Sequence, residues 1–203
     1  MSGCGYLTDH HVENDVTITD PVDALRIDNP AGQIVIHTGD AAGGIVVRCD
    51  IDYHTHQPPT PGQSVTAGVL NLTAGCGDCG IAYDGTVPAS VAVTVIDHAG
   101  EVTVNGVAGA IDISAAAGHV EGDDSQAANV RVEASAGAVN LTFATPPSNV
   151  TAHSGAGEVT VAVPSGTYAV DASSKAGQRT VNIPDDQSAA RHLKVRLTQA
   201  RSP

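Results

Sequence analysis

The chain has 203 residues, a formal net charge of −13, four Tyr, one Phe and no Trp. So strong a negative charge repels phosphate groups, which argues against a protein that binds nucleic acid or anionic lipid. The scarcity of aromatic residues argues against a β-sandwich with a conventional core of large side chains, and no segment has a convincing helical periodicity.

The N-terminal segment, Met1-Ser2-Gly3-Cys4-Gly5, places small side chains directly before a cysteine. This arrangement resembles the end of a bacterial lipoprotein signal, where the cysteine becomes lipidated, although the charged and apolar regions of such a signal are missing. The polar residues that follow suit a tether. We therefore expect residues 1–23 to be a flexible arm with Cys4 as the candidate lipidation site, and a plain N-terminal tail is the alternative.

Residues 24–90 predict short strands that are interrupted by loops. Two alternating apolar runs are joined by Asn29-Pro30-Ala31-Gly32, and a longer run extends from Gly44 to Tyr53. The prolines between residues 54 and 62 predict a surface loop. A second loop, from Gly75 to Gly80, carries two cysteines and leads into another apolar run.

From Val91 onward one phrase recurs, in which Ala-Gly is followed by Val at alternate positions. Ala99-Gly100-Glu101-Val102-Thr103-Val104 and Ala156-Gly157-Glu158-Val159-Thr160-Val161 are nearly identical. Together with an earlier copy, the corner glycines of the repeats are Gly32, Gly100, Gly118, Gly137, Gly157 and Gly177. The last five lie about 18 to 20 residues apart, and this period, with two short strands per repeat, is the signature of a β-solenoid.

The sequence therefore predicts an all-β protein whose single domain is a β-solenoid over residues 24–198. Residues 24–90 would form irregular N-terminal rungs, and residues 91–198 would form regular ones. Alternation places Val, Ile and Leu on one face of each strand, and glycine permits a tight corner between two strands. Stacking then covers the apolar face that one repeat leaves exposed. A β-sandwich of ordinary hairpins is the alternative, but it needs no fixed period.

Charge is distributed unevenly along the chain. Residues 1–174 contain 20 acidic and 3 basic side chains, a net −17, whereas residues 175–203 contain 2 acidic and 6 basic ones, a net +4. In Leu193-Lys194-Val195-Arg196-Leu197 the apolar and basic residues alternate. We interpret this run as a terminal edge strand whose charges discourage pairing with another sheet. An attractive basic end for an acidic partner, or for another copy, is the alternative.

Several segments together match one family pattern. They are Leu25 to Gly32, Cys76 and Cys79 before Ile81-Ala82-Tyr83-Asp84, Thr86-Val87-Pro88, and the serial Ala/Ser-Gly-x-Val-x-Val. In these segments the chain resembles the DUF4097 family, bacterial surface proteins with repeated β-strands that are often labelled as candidate adhesins. The corner Ser154-Gly155-Ala156-Gly157-Glu158-Val159 is nearest to the family's usual phrase, whereas the corners at Gly118 and Gly177 are degenerate. The resemblance covers about residues 24–198 and implies an exported β-solenoid without a shared catalytic activity.

Cys76-Gly77-Asp78-Cys79 has the spacing of a C-x-x-C motif. A structural zinc site would need two more ligands, and a thioredoxin-like site would need a helix that starts at the motif. For an exported protein, as the resemblance implies, we expect a disulfide between Cys76 and Cys79. Cys49 lies on the apolar side of its strand, so we expect a buried free thiol there. A bridge from Cys49 to either of the other two is the alternative.

Nine His residues invite the hypothesis of a metal site. His10 and His11 lie in the polar arm. His54 and His56 would share one face of an extended strand and could chelate a divalent ion, but no third ligand is visible in the sequence. We therefore expect no specific metal site, and no cofactor is implied.

Enzymatic function has little support in the sequence. Right-handed β-helix enzymes that cleave polysaccharides use paired carboxylates, usually with aromatic platforms for the sugar. Asp97, Asp112 and Glu133 are scattered over separate repeats, and Trp is absent. The chain has no Gly-x-Ser-x-Gly motif and no phosphate loop. We expect no catalytic residues.

Taken together, these patterns predict a non-catalytic, exported surface module of a bacterial envelope, lipid-anchored through Cys4. Such a module would bind a partner in the envelope or outside the cell, or would hold one away from the membrane. A self-assembling scaffold whose copies associate end to end is the first alternative, and a carbohydrate-active enzyme is the second. A cytoplasmic location is the alternative to export.

Overall fold

The computed structural model describes residues 10–39, 44–53, 59–76, 79–175 and 180–199. The strands in these residues are β1 (His10–Ile18), β2 (Ala24–Asn29), β3 (Ile34–Thr38), β4 (Ile45–Tyr53), β5 (Gly62–Thr66), β6 (Val69–Thr73), β7 (Gly80–Val87), β8 (Ala92–Asn105), β9 (Ile111–Ser125), β10 (Asn129–Ala136), β11 (Val139–Phe143), β12 (Asn149–Ala156), β13 (Val159–Ala162), β14 (Ala169–Ser174) and β15 (His192–Gln199). The described residues include no helix with the length and apolar character that crossing a membrane requires.

The strands stack in two layers that are joined at the glycine corners. Layer A has the order β5-β6-β2-β8-β9-β10-β12-β15-β14, and layer B has the order β1-β4-β7-β3-β8-β9-β11-β13. The long strands β8 and β9 pass through both layers. The first half of β8 pairs with β2 and its second half pairs with β3, in each case parallel. The chain therefore winds as a flattened β-solenoid, which confirms the predicted fold class.

The core is a thin sheet of aliphatic side chains between the two layers. In layer A the residues Val93, Ile111, Val130 and Val150 lie at one register on neighbouring strands, and each is at most 5% exposed. In layer B the corresponding column contains Ile34, Val102, Val120 and Val139, all fully buried. Parallel in-register stacking brings like β-branched side chains together, so each rung covers the apolar face of the next.

The corner glycines are stacked in a column, and the backbone carbonyl of one glycine lies where a side chain on the next would have to be. A Cβ on Gly100 would collide with the carbonyl of Gly32, and the same holds for Gly118 against Gly100, Gly137 against Gly118, and Gly157 against Gly137. Four members of the column have positive φ: Gly32, Gly118, Gly137 and Gly157. Glycine is thus required at these corners both by conformation and by space. Gly177, the last predicted corner, lies outside the described residues.

The N-terminal end of the stack is closed by antiparallel strands. β6 and β7 form the first coil, since they lie parallel to β2 and β3 respectively. β5 pairs antiparallel with β6, and β4 and β1 continue layer B in antiparallel fashion. β1 therefore belongs to the sheet, although the sequence predicts a flexible arm over residues 1–23. Val12, Val16 and Ile18 alternate in β1 and pack towards the core, which is the physical reason for the difference.

The C-terminal end departs from the regular winding. β15 lies between β12 and β14 and pairs parallel with both, so it is an interior strand and not the terminal edge strand that the sequence predicts. Its alternation is as predicted, because Lys194 and Arg196 are exposed while Leu193 is buried. The apolar run that includes Val181 and Ile183 is not a strand, because the insertion of β15 moves this coil away from β13.

Replacing Gly137 by Ala is expected to destabilise the protein by about 2–4 kcal/mol, since it adds strain at φ +127° to a clash with the Gly118 carbonyl. Chemical denaturation followed by circular dichroism measures the free energy of unfolding. Gly80→Ala is the matched control, because its Cβ would have Ala31 O, at 4.0 Å, as its nearest neighbour. The control should change stability by no more than about 0.5 kcal/mol. Equal effects of the two substitutions would show that the column does not constrain the fold.

Candidate functional site

A slot about one strand wide opens in layer B at the C-terminal end. β15 is part of layer A, but among the described residues no strand faces it in layer B. The opening lies between β13 on one side and residues 180–183 on the other. It continues along the glycine corners as far as Ala117, and the whole cavity has a volume of about 1380 Å³. The slot is therefore a direct result of the insertion of β15 between β12 and β14.

The slot is lined by alternating apolar side chains. Leu193, Val195 and Leu197 of β15 form its floor, and Val159 and Val161 of β13 form one wall. Leu193 is buried, whereas the other four are only partly buried, so apolar surface remains accessible to an incoming group. Polar backbone also borders the slot. Within the described strands β13 pairs only with β11, which leaves the other edge of β13 facing the opening.

The two cysteines of the C-x-x-C motif lie where the first coil turns from β6 to β7. The Cα atoms of Cys76 and Cys79 are 5.9 Å apart, and their sulfur atoms lie at bonding distance. The coil is thus closed by this pair at the end of the glycine column. Oxidation of the pair in the native protein stays a prediction. Cys49 is a buried free thiol, as predicted, and burial raises its pKa to about 11.

Other residues singled out in the sequence fall outside the described residues. These are the lipidation candidate Cys4 and the histidines His54 and His56. Lipidation and any metal-binding role of these two histidines stay untested. His11, by contrast, lies on β1 next to acidic side chains of β4, a neighbourhood that the sequence alone does not predict.

The three acids considered for glycan cleavage do not come together. Asp97 points into the core and is 1% exposed. Asp112 and Glu133 lie on the outer face of layer A, where both approach Arg131 at 3.9 Å and 2.6 Å respectively. The sheet therefore separates Asp97 from the other two, and the pair that remains is held by a cation.

Asp97 is a buried carboxylate without a hydrogen-bond partner on either oxygen among the described residues. The residue of β2 that pairs with Asp97 is Asn29. Its Nδ2 donates to the carbonyls of Ala31 and Ile81 at 3.0 Å each. The Oδ1 atom of Asn29 has no donor. Burial raises the pKa of Asp97 to about 6, with His98 acting weakly in the opposite direction. A proton on Asp97 would supply the donor that Asn29 lacks.

Comparison with known proteins gives one family and several structures. The family model described as Toastrack DUF4097 matches residues 16–199. No curated protein matches the chain. A candidate cell adhesion protein from Clostridium sporogenes is similar in structure, with 12% identity, a TM-score of 0.49, and coverage of 94% of this chain and 95% of that one.

Two further solved structures are similar with lower TM-scores. A candidate adhesin from Bacteroides fragilis has 12% identity and a TM-score of 0.41, with coverage of 96% of this chain and 99% of that one. A candidate adhesin from Parabacteroides merdae has 11% identity and a TM-score of 0.34, with coverage of 95% and 96%.

The substitution Asp97→Asn is expected to stabilise the protein at pH 8 and to have little effect at pH 4. The folded-state pKa of about 6 exceeds the unfolded value of about 3.9, so the contribution of Asp97 to stability is present below pH 4 and is lost as the pH rises through 6. The gain at pH 8 should be about 1–3 kcal/mol.

Denaturant unfolding at the two pH values measures this difference. Glu101→Gln is the control, because Glu101 is exposed and lies on the same strand, and it should shift stability equally at both pH values. A change of stability in Asp97→Asn that is the same at pH 4 and pH 8 would contradict the prediction, since it would mean that folding does not raise the pKa of Asp97.

Proposed function

The chain belongs to the DUF4097 (Toastrack) family, and we propose that it is a non-catalytic binding module of a bacterial envelope whose C-terminal slot takes up an extended segment of a partner polypeptide. The observation that carries this proposal is the strand-wide opening in layer B opposite β15. A bound segment would complete layer B and cover the apolar floor of the slot.

The edge of β13 favours a polypeptide over other ligands. Backbone N–H and C=O groups along an open strand edge need hydrogen-bond partners, and an added strand supplies them in the manner of β-augmentation. A lipid chain or a hydrocarbon ligand supplies none.

The lining specifies the chemistry of the incoming segment. Side chains of β13 and β15 alternate between the slot and the outside, as strand geometry requires. A partner strand would therefore place apolar side chains at alternate positions into the slot and polar ones outward. The strand β13 has this pattern itself, with Val159 and Val161 facing in and Thr160 facing out.

The two ends of the solenoid suit different tasks. β1 lies at one end of layer B and the slot at the other, and strands stacked about 4.8 Å apart separate them by roughly 40 Å. An N-terminal lipid anchor at Cys4 would hold the first end at a membrane. The slot would then be presented away from that membrane, which unites the binding and spacer functions.

A peptide copy of residues 157–164, with the sequence GEVTVAVP, is expected to bind the full-length protein saturably in fluorescence anisotropy. Its alternation matches layer B, in which β11 and β13 already pair parallel and in register. A peptide of the same composition with consecutive valines, GEVVVATP, should not bind, because it cannot place its apolar side chains on one face.

Leu197→Glu is expected to weaken this binding at least about tenfold, because it places a charge on the apolar floor of the slot. Thr198→Glu adds the same charge on the adjacent, exposed residue of β15 and should leave affinity unchanged. Thermal melts check that both variants fold. Equal binding of the two peptides, or equal affinity of the two variants, would contradict the proposal. A concentration-dependent increase in the protein's own mass that Leu197→Glu abolishes would instead support an end-to-end scaffold.

The mature protein from its native host is expected to carry a diacyl or triacyl adduct on Cys4 and to partition into detergent. Mass spectrometry of the N-terminal peptide measures the adduct, and mass analysis without reductant measures the Cys76–Cys79 pair, which should be oxidised. A soluble protein that starts at an unmodified Met1 would remove the argument for export. A reduced Cys76 would contradict the disulfide.

A further inference from the structure

The outer face of β1 and β4 brings a histidine together with three carboxylates. In the antiparallel register His11 lies directly opposite Asp52, and Glu13 lies directly opposite Asp50. Residues two apart on a strand share a face, so all four side chains project from the same side of the sheet. One nitrogen of His11 and one carboxylate oxygen each of Glu13 and Asp50 lie within 4.8 Å of one another.

Asp52 orients His11 for metal binding. The Nδ1 atom of His11 lies 3.0 Å from Asp52 Oδ1, so an Nδ1–H donates to that carboxylate. The lone pair is then on Nε2, which faces Glu13 Oε1 at 3.8 Å. In zinc sites the histidine nitrogen that does not bind the metal usually donates a hydrogen bond to a carboxylate, which fixes the orientation of the ring.

Among the described residues no Lys or Arg forms an ion pair with Glu13, Asp50 or Asp52. Carboxylates directly opposite each other on paired strands destabilise the pair, as Glu13 and Asp50 do here. Arg48, which lies two residues before Asp50 on β4, is engaged with Asp15 at 3.4 Å.

Asp50 supplies an independent indication of a bound cation. Its Oδ1 atom is shielded from solvent and has no hydrogen-bond partner among the described residues. The facing position on β7 is Ala82, whose side chain has no donor to offer. An enclosed carboxylate oxygen without a donor is costly unless a cation lies beside it.

We propose that His11 Nε2 and the carboxylates of Glu13 and Asp50 bind a divalent transition-metal ion, with Zn²⁺ the best match, and that Asp52 is the positioning residue for His11. One imidazole nitrogen with carboxylate oxygens is a ligand set of zinc, whereas Mg²⁺ and Ca²⁺ prefer oxygen alone. Water completes the coordination. The ion would join β1 to β4 and so fasten the first strand to the N-terminal end of the solenoid. This site is independent of the C-terminal slot and of what the slot binds.

Isothermal titration of the tag-free full chain with ZnCl₂ in a non-chelating buffer tests the proposal. One equivalent of Zn²⁺ is expected to bind, and millimolar Mg²⁺ should not compete. His11→Ala and Asp50→Asn should abolish this binding, and Asp52→Asn should weaken it about 10–100-fold. Because Asp52 acts through His11, the visible spectrum of the Co²⁺ form should also change in Asp52→Asn.

His10→Ala is the matched control. His10 is adjacent to His11 but lies on the opposite face, where its ring stacks on Tyr53 with centroids 5.2 Å apart. This variant should bind Zn²⁺ with unchanged affinity. An unaltered titration in His11→Ala, or an equal loss in His10→Ala and His11→Ala, would overturn the proposal by placing the metal elsewhere on the chain. Absence of stoichiometric binding to the unmodified chain would overturn it as well.

Discussion

The structure depends on the close approach of backbones at the glycine corners. Each carbonyl in the column from Gly32 to Gly137 occupies the space that a side chain on the next glycine would need. This contact allows each strand to turn from layer A into layer B within one or two residues. The layers therefore lie close together, and Val, Ile and Ala are large enough to fill the space between them.

Stacking of this kind confers stability along the solenoid but leaves its two ends to be closed separately. At the N-terminal end β1, β4 and β5 cover the stack with antiparallel strands that are rich in polar residues. At the C-terminal end the chain inserts β15 between β12 and β14, and the coil that follows β13 is displaced. The repeats between the ends are uniform, whereas the slot and the proposed metal site depend on strands that depart from this regular winding. The slot and the proposed metal site lie at opposite ends for this reason.

Features that depend on local pattern could be predicted from the sequence. The strands that flank Gly100 and Gly157, the corner role of glycine and the burial of Cys49 all follow from alternation and from the recurring phrase. Alternation also places Asp97 inward, after Val93 and Val95, so its burial could have been found from the sequence by the same argument. The slot could not, because the insertion of β15 is a long-range pairing that no local pattern encodes. The cluster at His11 depends likewise on the register between β1 and β4. These two strands are not consecutive, because β2 and β3 lie between them in the sequence.

The position of β15 has a mechanical consequence. β15 is hydrogen-bonded along both edges, to β12 and to β14, and all three strands run parallel. A force applied at the end of β15 and directed along the strand acts in shear on both ladders at once. The hydrogen bonds to β12 and to β14 must therefore break together. β14, at the edge of layer A, has a ladder on only one side among the described strands. The strand that forms the floor of the slot is therefore held more firmly against traction than β14, and the rate of its forced unfolding would set how long a partner bound in the proposed slot is held against pulling.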